Sequence, residues 1–176
     1  MAIQIGAKPD SGFDDPIGML KDCHRRIENF LTILSVVIDR AQGRRLTDEE
    51  RKAIQTSLQY FRTGGRRHTA DEEESLFPRL RKCAADSLEE IDRLEEDHRE
   101  ANDLHASVEQ LYSTWIDSGA LGEQETKHLL SQTARLRQLY SEHIQIEELI
   151  VFARASHALD SQTIATIGAE FQSRRK

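Results

Sequence analysis

The chain alternates between long segments whose apolar residues recur with helical spacing and short polar breaks. In the first segment, the residues that recur at steps of three, four and seven are Leu20, Ile27, Leu31, Leu34 and Ile38. Such spacing places side chains on one face of a helix. Gln42 and Gly43 predict the end of this helix. Thr47, with Glu50 three residues later, is a capping box that predicts the start of the second helix.

Two more helices are predicted over the middle of the chain. The second helix carries its apolar stripe over residues 54–76, and Pro78 predicts its end soon after. Gly64 and Gly65 interrupt that stripe, and each glycine costs roughly 1 kcal/mol relative to alanine. A kink or a close helix contact is therefore expected there. The third helix is predicted from about residue 86 to about residue 117.

The fourth helix carries its stripe over residues 126–150, and a shorter fifth helix is predicted over residues 161–171. Four helices of this length with short connections predict an all-α fold, an antiparallel up-down four-helix bundle with a short additional C-terminal helix. We expect a flexible N-terminal segment over residues 1–15, the bundle over residues 16–155, and the C-terminal helix with a basic tail over residues 156–176.

Six ionisable residues lie on these stripes, at positions where the core of a bundle should be apolar. They are His24, His68, Glu72, His98, His143 and Glu147. Burying such a group without a partner costs several kcal/mol, and six would exceed the total stability of about 5–15 kcal/mol. The six residues therefore require a partner. Without one, burial would lower the pKa of the histidines, and the neighbouring glutamates would oppose that shift.

The order of these residues repeats along the chain. In each half, a helix with a single histidine precedes a helix with a His-x-x-x-Glu pair: His24 precedes residues 68–72, and His98 precedes residues 143–147. The single histidines also have similar neighbours, Asp-Cys-His-Arg in the first half and Glu-Asp-His-Arg in the second. A doubled helical hairpin predicts a bundle with a pseudo-two-fold axis and one site on that axis.

The number and type of these residues indicate two metal ions. Residues four apart project from one face of a helix, so each pair can place an imidazole and a carboxylate beside a small cavity. Six ligands exceed the number that tetrahedral zinc uses. Two bridging carboxylates and two imidazoles per metal give four protein ligands to each ion, and a shared oxo or hydroxo group adds a fifth. Such donors with an open position suit two non-haem iron ions, with manganese second.

Two segments and two single histidines carry a resemblance to a known family. They are His-Thr-Ala-Asp-Glu-Glu-Glu-Ser-Leu-Phe-Pro at residues 68–78, His-Ile-Gln-Ile-Glu-Glu at residues 143–148, His24 and His98. This combination resembles the hemerythrin-like (HHE cation-binding) family over roughly residues 16–155. The resemblance implies a di-iron centre that meets oxygen, nitric oxide or peroxide. By motif, the four histidines would be terminal ligands, and Glu72 and Glu147 would bridge.

The sequence departs from the oxygen-carrying members of that family. Those members have a fifth histidine one turn before or after the third-helix ligand, where this chain has Leu94 and Asn102. Their last carboxylate is an Asp five residues after its histidine, whereas Glu147 follows His143 by four. The missing histidine opens a position on one iron. The pattern is therefore more similar to bacterial and regulatory members associated with nitric oxide, peroxide or iron.

Two other interpretations compete with a di-iron centre. In one, the six residues satisfy one another in a polar core without metal. In the other, the site is ferritin-like, which needs two Glu-x-x-His pairs and two further glutamates. Only Glu95 with His98 has that spacing, which disfavours the ferritin-like site.

Four further polar residues lie close to the six along the helices. His105 is roughly 10 Å from His98 by helix rise, too far to share a metal, and is expected to be packed and hydrogen-bonded or to support a ligand. Glu28 is expected on a solvated flank rather than as an extra ligand. Tyr140 is expected in the core, with hydrogen bonding to a bound oxygen species as the alternative. Cys23 is expected to serve packing.

Composition narrows the class of protein. Acidic residues outnumber basic ones by 31 to 24, for a net charge of −7, and no basic stripe indicates a nucleic-acid partner. No run of 18 apolar residues predicts a membrane span, and the N-terminus lacks the pattern of a signal peptide. Cys23 and Cys83 form no CxxC pair, which fits a reducing, cytoplasmic location.

Three functions follow from this pattern, and no catalytic residue is assigned. The leading hypothesis is a di-iron protein that binds or senses oxygen or nitric oxide. The second is an enzyme that reduces peroxide, nitric oxide or oxygen at the same centre, and the third is iron handling or repair of iron–sulfur clusters. The ligand would be a small diatomic molecule or peroxide. Sensing or turnover would require a separate signalling protein or electron donor.

Overall fold

A computed structural model describes residues 10–83 and 88–176. Within those ranges the regular structure is α-helix, interrupted by three π-helical turns. The α-helices are α1 (Pro16–Ala41), α2 (Asp48–Tyr60), α3 (Arg66–Asp71), α4 (Phe77–Cys83), α5 (Leu88–Ser118), α6 (Glu123–Ile146), α7 (Phe152–Ala158) and α8 (Ser161–Ser173). The π turns are π1 (Phe61–Gly65), π2 (Glu72–Leu76) and π3 (Glu147–Val151). An all-helical protein is thus confirmed.

The ends of α1 and α2 follow the predicted signals. Gln42 adopts a left-handed conformation, with φ of 46°, and Gly43 follows with φ of 77°, so the chain leaves the helix within two residues. At the next helix, the Thr47 hydroxyl accepts from the backbone N–H of Glu50, and the Glu50 carboxylate accepts from that of Thr47. The capping box is confirmed.

The second and fourth predicted helices are continuous rods over residues 48–83 and 123–158. The first of these rods contains π1 and π2, and the other contains π3. The apolar spacing did not indicate these turns. The predicted end at Pro78 is wrong, since α4 continues to Cys83. Phe77 donates its N–H to the carbonyl of Glu72, five residues back. The widened turn relieves the clash between a proline ring and the carbonyl four residues back, so the helix passes through Pro78.

Other predicted boundaries are close to the structure. α5 ends at Ser118, one residue beyond the prediction, and α8 extends the fifth helix to Ser173. The predicted start of the third helix near residue 86 and much of the predicted segment 1–15 lie outside the described residues.

The long helices pack around one interior. α1 contacts both α2 and α6, and α5 also contacts both, so four rods form a closed ring of neighbours. α8 lies outside this ring, against α1 and π2, and buries Ile167 and Phe171. We call residues 16–83 the first half and residues 88–158 the second half. No helix in the described ranges has the length and hydropathy needed to cross a membrane.

Two apolar clusters fill the interior. The larger contains Trp115 and Tyr112, whose polar atoms donate to the backbone carbonyls of Arg44 and Leu34, both at 2.8 Å. The smaller cluster comprises Leu20, Leu76, Phe77, Leu80, Ile91, Leu94, Val151, Phe152, Ala155, Ile167 and Phe171. The predicted polar residues fall between members of the two clusters along each rod, so a polar layer separates two apolar regions.

Candidate metal centre

The structure brings all six predicted site residues into this polar layer. They are His24 on α1, His68 on α3, Glu72 at the start of π2, His98 on α5, His143 on α6 and Glu147 at the start of π3. Every one is buried, with at most 5% of its surface exposed. Their ligand atoms form two overlapping groups: His24, His68, Glu72 and Glu147 in one, and Glu72, His98, His143 and Glu147 in the other. Within each group these atoms lie within 4.8 Å of one another.

Glu72 belongs to both groups and faces both. Its Oε1 lies 3.3 Å from Nε2 of His68, and its Oε2 lies 3.4 Å from Nε2 of His98. The two oxygens of one carboxylate are therefore directed at histidines from different halves. This is the arrangement that a bridging carboxylate requires.

Glu147 is the second shared carboxylate. Its Oε2 lies 2.9 Å from Nε2 of His24 and 3.3 Å from Nε2 of His143. Each glutamate thus approaches one histidine from its own half and one from the other half. Each group, by contrast, takes both of its histidines from a single half, which the spacing of the motifs did not indicate.

The ligand atoms lack partners of their own. Among the described residues, no hydrogen-bond partner is present for the Nε2 atoms of His24, His98 and His143, or for any carboxylate oxygen of Glu72 and Glu147. The close contacts between these atoms therefore lack hydrogen-bond geometry. Buried polar atoms without partners are costly and rare. Cations coordinated by these nitrogen and oxygen atoms would remove that cost, so the residues fit a metal centre.

Carboxylates outside the layer orient the imidazoles. Nδ1 of His24 lies 2.8 Å from Oε1 of Glu148, and Nδ1 of His98 lies 2.8 Å from Oε1 of Glu73. An Nδ1–H that donates to a carboxylate leaves the Nε2 lone pair directed at the centre and more basic. These supporting roles were not predicted, although each carboxylate directly follows one of the two shared glutamates in sequence. The repeated Glu-Glu dipeptide was the available signal.

Aromatic rings cover the same two histidines. Phe152 stacks on His24 with a centroid distance of 5.5 Å, and Phe77 stacks on His98 at 6.3 Å. Each phenylalanine lies five residues after one of the two shared glutamates, across a π turn. A π turn brings residues i and i+5 into register, where a regular α-helix brings i and i+4. The π turns therefore place carboxylate and covering ring at one level.

The four histidines do not share one electrostatic environment. Burial, followed by the neighbouring His24, holds the pKa of His68 well below its usual range, as expected. Burial has the same tendency at His143, but the Glu147 and Asp97 carboxylates outweigh it and raise the pKa of His143 to about 9. The expected lowering is therefore wrong for His143.

The two shared glutamates also have unequal pKa values. Burial and the adjacent Glu147 carboxylate raise the pKa of Glu72 well above its usual range. Burial would do the same to Glu147, but His143 and His24 outweigh it and hold the pKa of Glu147 low. Among protein groups alone, Glu72 is thus the carboxyl group that retains a proton.

The neighbouring polar residues mostly lie as expected. Glu28 is exposed, and Cys23 is buried, with its backbone carbonyl accepting from the Tyr60 hydroxyl at 3.3 Å. His105 contacts the Tyr140 hydroxyl through Nε2 at 3.0 Å, and burial lowers its pKa to about 4. His105 is therefore neutral at pH 7 and shares a hydrogen bond with the Tyr140 hydroxyl.

A cavity of about 730 Å³ opens beside the layer. Its lining includes Gly65 of π1, the His105–Tyr140 pair and Glu73, which also bonds His98. The cavity therefore reaches a residue that touches a candidate ligand. Asn102, at a position where oxygen carriers would have their fifth histidine, lines this cavity as well.

Comparisons with known proteins agree with the geometry. The family model described as the hemerythrin HHE cation binding domain matches residues 15–155. An uncharacterized protein of Haemophilus influenzae is 29% identical over 168 residues, which cover 93% of this chain and 92% of that protein. The chain belongs to the hemerythrin HHE cation-binding family.

Proposed function

We propose that the chain is a non-haem di-iron protein that binds or senses oxygen or nitric oxide. The observation that carries this proposal is the pair of buried carboxylates shared by two histidine pairs. Two shared carboxylates and two imidazoles for each ion are a set that one metal would not need. The bundle that holds them would have the antiparallel up-down arrangement, which suits the short connections after α1 and α5.

Each residue of the layer has a role in this proposal. His24 and His68 would hold one iron, His98 and His143 the other, and both glutamates would bridge. Nitrogen and carboxylate donors suit iron, with manganese as the second choice. Iron would supply one-electron chemistry and affinity for diatomic molecules.

The side chains around the ligands would keep the centre selective. Buried apolar residues on both sides of the layer exclude water, and the Glu73 and Glu148 carboxylates fix the imidazole orientation. Leu94, at one of the two positions where carriers would have their fifth histidine, is fully buried. A ligand position left open on the protein side favours binding of a small molecule from solution.

A specific observation also favours an enzyme that reduces peroxide, nitric oxide or oxygen as the second candidate. The hydrogen-bonded Tyr140–His105 pair lines the cavity beside the layer. Reduction of these molecules consumes protons. An imidazole and a hydroxyl that share a hydrogen bond can each accept one proton and release another, so the pair offers a path for protons between the cavity and the layer.

We also propose a cytoplasmic location, since Cys23 and Cys83 are both free thiols. In either function, a separate protein would receive the signal or donate electrons.

Spectroscopy of the iron-loaded, reduced protein tests the proposal. Oxygen and nitric oxide, added separately, should each change the visible spectrum and saturate at a fixed ligand-to-protein ratio. Glu72→Ala should abolish the change, whereas His128→Asn, at an exposed position, should retain it. A spectrum unchanged by both gases would contradict the proposal. Continuous consumption of peroxide that Tyr140→Phe slows, while ligand binding persists, would favour the enzyme.

A further inference from the structure

The contacts around the two histidine pairs repeat almost completely between the halves. His24 and His98 each have a carboxylate partner at 2.8 Å and a stacked phenylalanine. The ring centroids of His24 and His68 are 4.9 Å apart, and those of His98 and His143 are 4.8 Å apart. All four histidines are buried. Differences between the two positions must therefore arise from a small number of residues.

One contact does not repeat. Nδ1 of His143 lies 3.3 Å from Oδ2 of Asp97, the residue directly before His98. The residue directly before His24 is Cys23, a buried residue whose thiol is a weak hydrogen-bonding group. Nδ1 of His68, the counterpart of His143, is buried and has no hydrogen-bond partner among the described residues. The exchange of aspartate for cysteine and the unpartnered nitrogen are independent observations of the same asymmetry.

A carboxylate on the outer nitrogen of a histidine strengthens that histidine as a ligand. The carboxylate fixes the tautomer, orients the ring and makes the inner nitrogen more basic, and its loss typically costs about 10- to 100-fold in metal affinity. The His98–His143 position has this support on both histidines. The His24–His68 position has it on His24 alone.

We infer that the two metal positions differ in affinity, and that the His98–His143 position holds its iron more tightly. Asp97 is the positioning residue that sets this difference, because it contacts the outer nitrogen of His143 without facing the centre, and Cys23 stands at the matching sequence position before His24, where no carboxylate is available. Iron would load first at the His98–His143 position and leave last from it. This inference rests on the proposed di-iron function and assigns an order of metal binding within that centre.

Stepwise removal of iron from the loaded protein with a chelator tests the inference. Iron remaining per chain should fall in two steps, separated by about 10- to 100-fold in chelator concentration, with a plateau near one iron. His24→Ala should remove the weaker step and His98→Ala the tighter one. A single step from two irons to none would overturn the inference and leave the di-iron function intact. A loaded protein with only one iron per chain would overturn both.

Two reciprocal variants assign the difference to the named residues. Cys23→Asp should shift the weaker step toward the tighter one. Asp97→Asn, which keeps the shape of the side chain, should weaken the tighter step by about 10- to 100-fold. Cys23 is buried, so if Cys23→Asp fails to fold, Asp97→Asn alone decides the assignment. Two steps that Asp97→Asn leaves unchanged would show that Asp97 does not set the difference.

Discussion

In the first half of the bundle, the turn that carries the shared glutamate is anchored by ion pairs to the C-terminal end of the chain, whereas the matching turn in the second half lacks an acidic residue at the corresponding position. Asp71, directly before Glu72, is fully buried and pairs with Arg174 at 2.9 Å and Arg175 at 2.6 Å. The residue directly before Glu147 is Ile146, which cannot form an ion pair. The two arginines at the C-terminal end of α8 therefore anchor π2 and do not anchor π3 in this way.

The halves also differ on the side facing the cavity. Three residues before its ligand histidine, the second half has Tyr140 and the first half has Gly65. The glycine and the tyrosine both line the cavity, so the missing side chain on one rod leaves space beside the hydroxyl on the other. The candidate ligands and the phenylalanine rings that cover them thus repeat between the halves. The ion pairs of Asp71 and the glycine that lines the cavity both belong to the first half.

The largest expected effect concerns what the halves share. Glu72→Ala or Glu147→Ala should remove more metal than any single His→Ala, because each carboxylate approaches histidines of both groups and each histidine belongs to one. Metal content of all six purified variants, measured after identical iron loading, checks this prediction. Equal loss across the six would remove the basis for shared carboxylates.

A smaller effect should appear where the halves differ in anchoring. Asp71→Ala should lower the free energy of unfolding by about 3 kcal/mol, at the low end for a broken buried ion pair, since the two arginines are partly exposed. Glu74→Ala, which removes an exposed carboxylate paired with Arg174, is the matched control and should cost less than about 1 kcal/mol. Denaturant unfolding measures both, and equal losses would mean that Asp71 does not anchor π2.

The smallest effect at neutral pH should come from His105, which has no ionisable counterpart in the first half. Burial lowers its pKa to about 4 in the folded chain, below the unfolded value near about 6.5. The unfolded chain then binds more protons between these values. His105 should therefore cause stability to fall as pH falls through this window, by at most about 1.4 kcal/mol per pH unit.

Unfolding measured from about pH 4 to 7 in His105→Gln checks the sign. The variant should show a shallower loss of stability toward low pH than the unchanged protein. His128→Gln, at an exposed position, should follow the unchanged protein. A steeper loss in His105→Gln would mean that His105 is charged in the folded state.

The sequence was sufficient to predict the helices and the set of six residues, because both depend on spacing within single helices. Polar residues on an apolar stripe stand out once the 3.6-residue period is recognised. The π turns were not predicted, since a local shift from i+4 to i+5 hydrogen bonding leaves the apolar pattern nearly unchanged. For that reason Pro78 was misinterpreted as the end of a helix.

Contacts between distant segments were equally beyond the sequence pattern. The helical spacing carries no signal for the role of Asp71, because its partners are more than a hundred residues away. Asp97 and Cys23 were compared as neighbours of the single histidines, but only the fold shows that Asp97 bonds the histidine of another helix. Supporting contacts of this kind depend on packing between helices rather than on periodicity.

Metal analysis, together with the visible absorption spectrum, tests the central proposal most directly. Protein purified from an iron-replete culture should contain about two irons per chain, because two histidine pairs share both buried carboxylates. Its spectrum should show absorption in the visible region that disappears when the iron is removed. One metal per chain, or zinc taken up from the same iron-replete culture, would contradict the di-iron assignment.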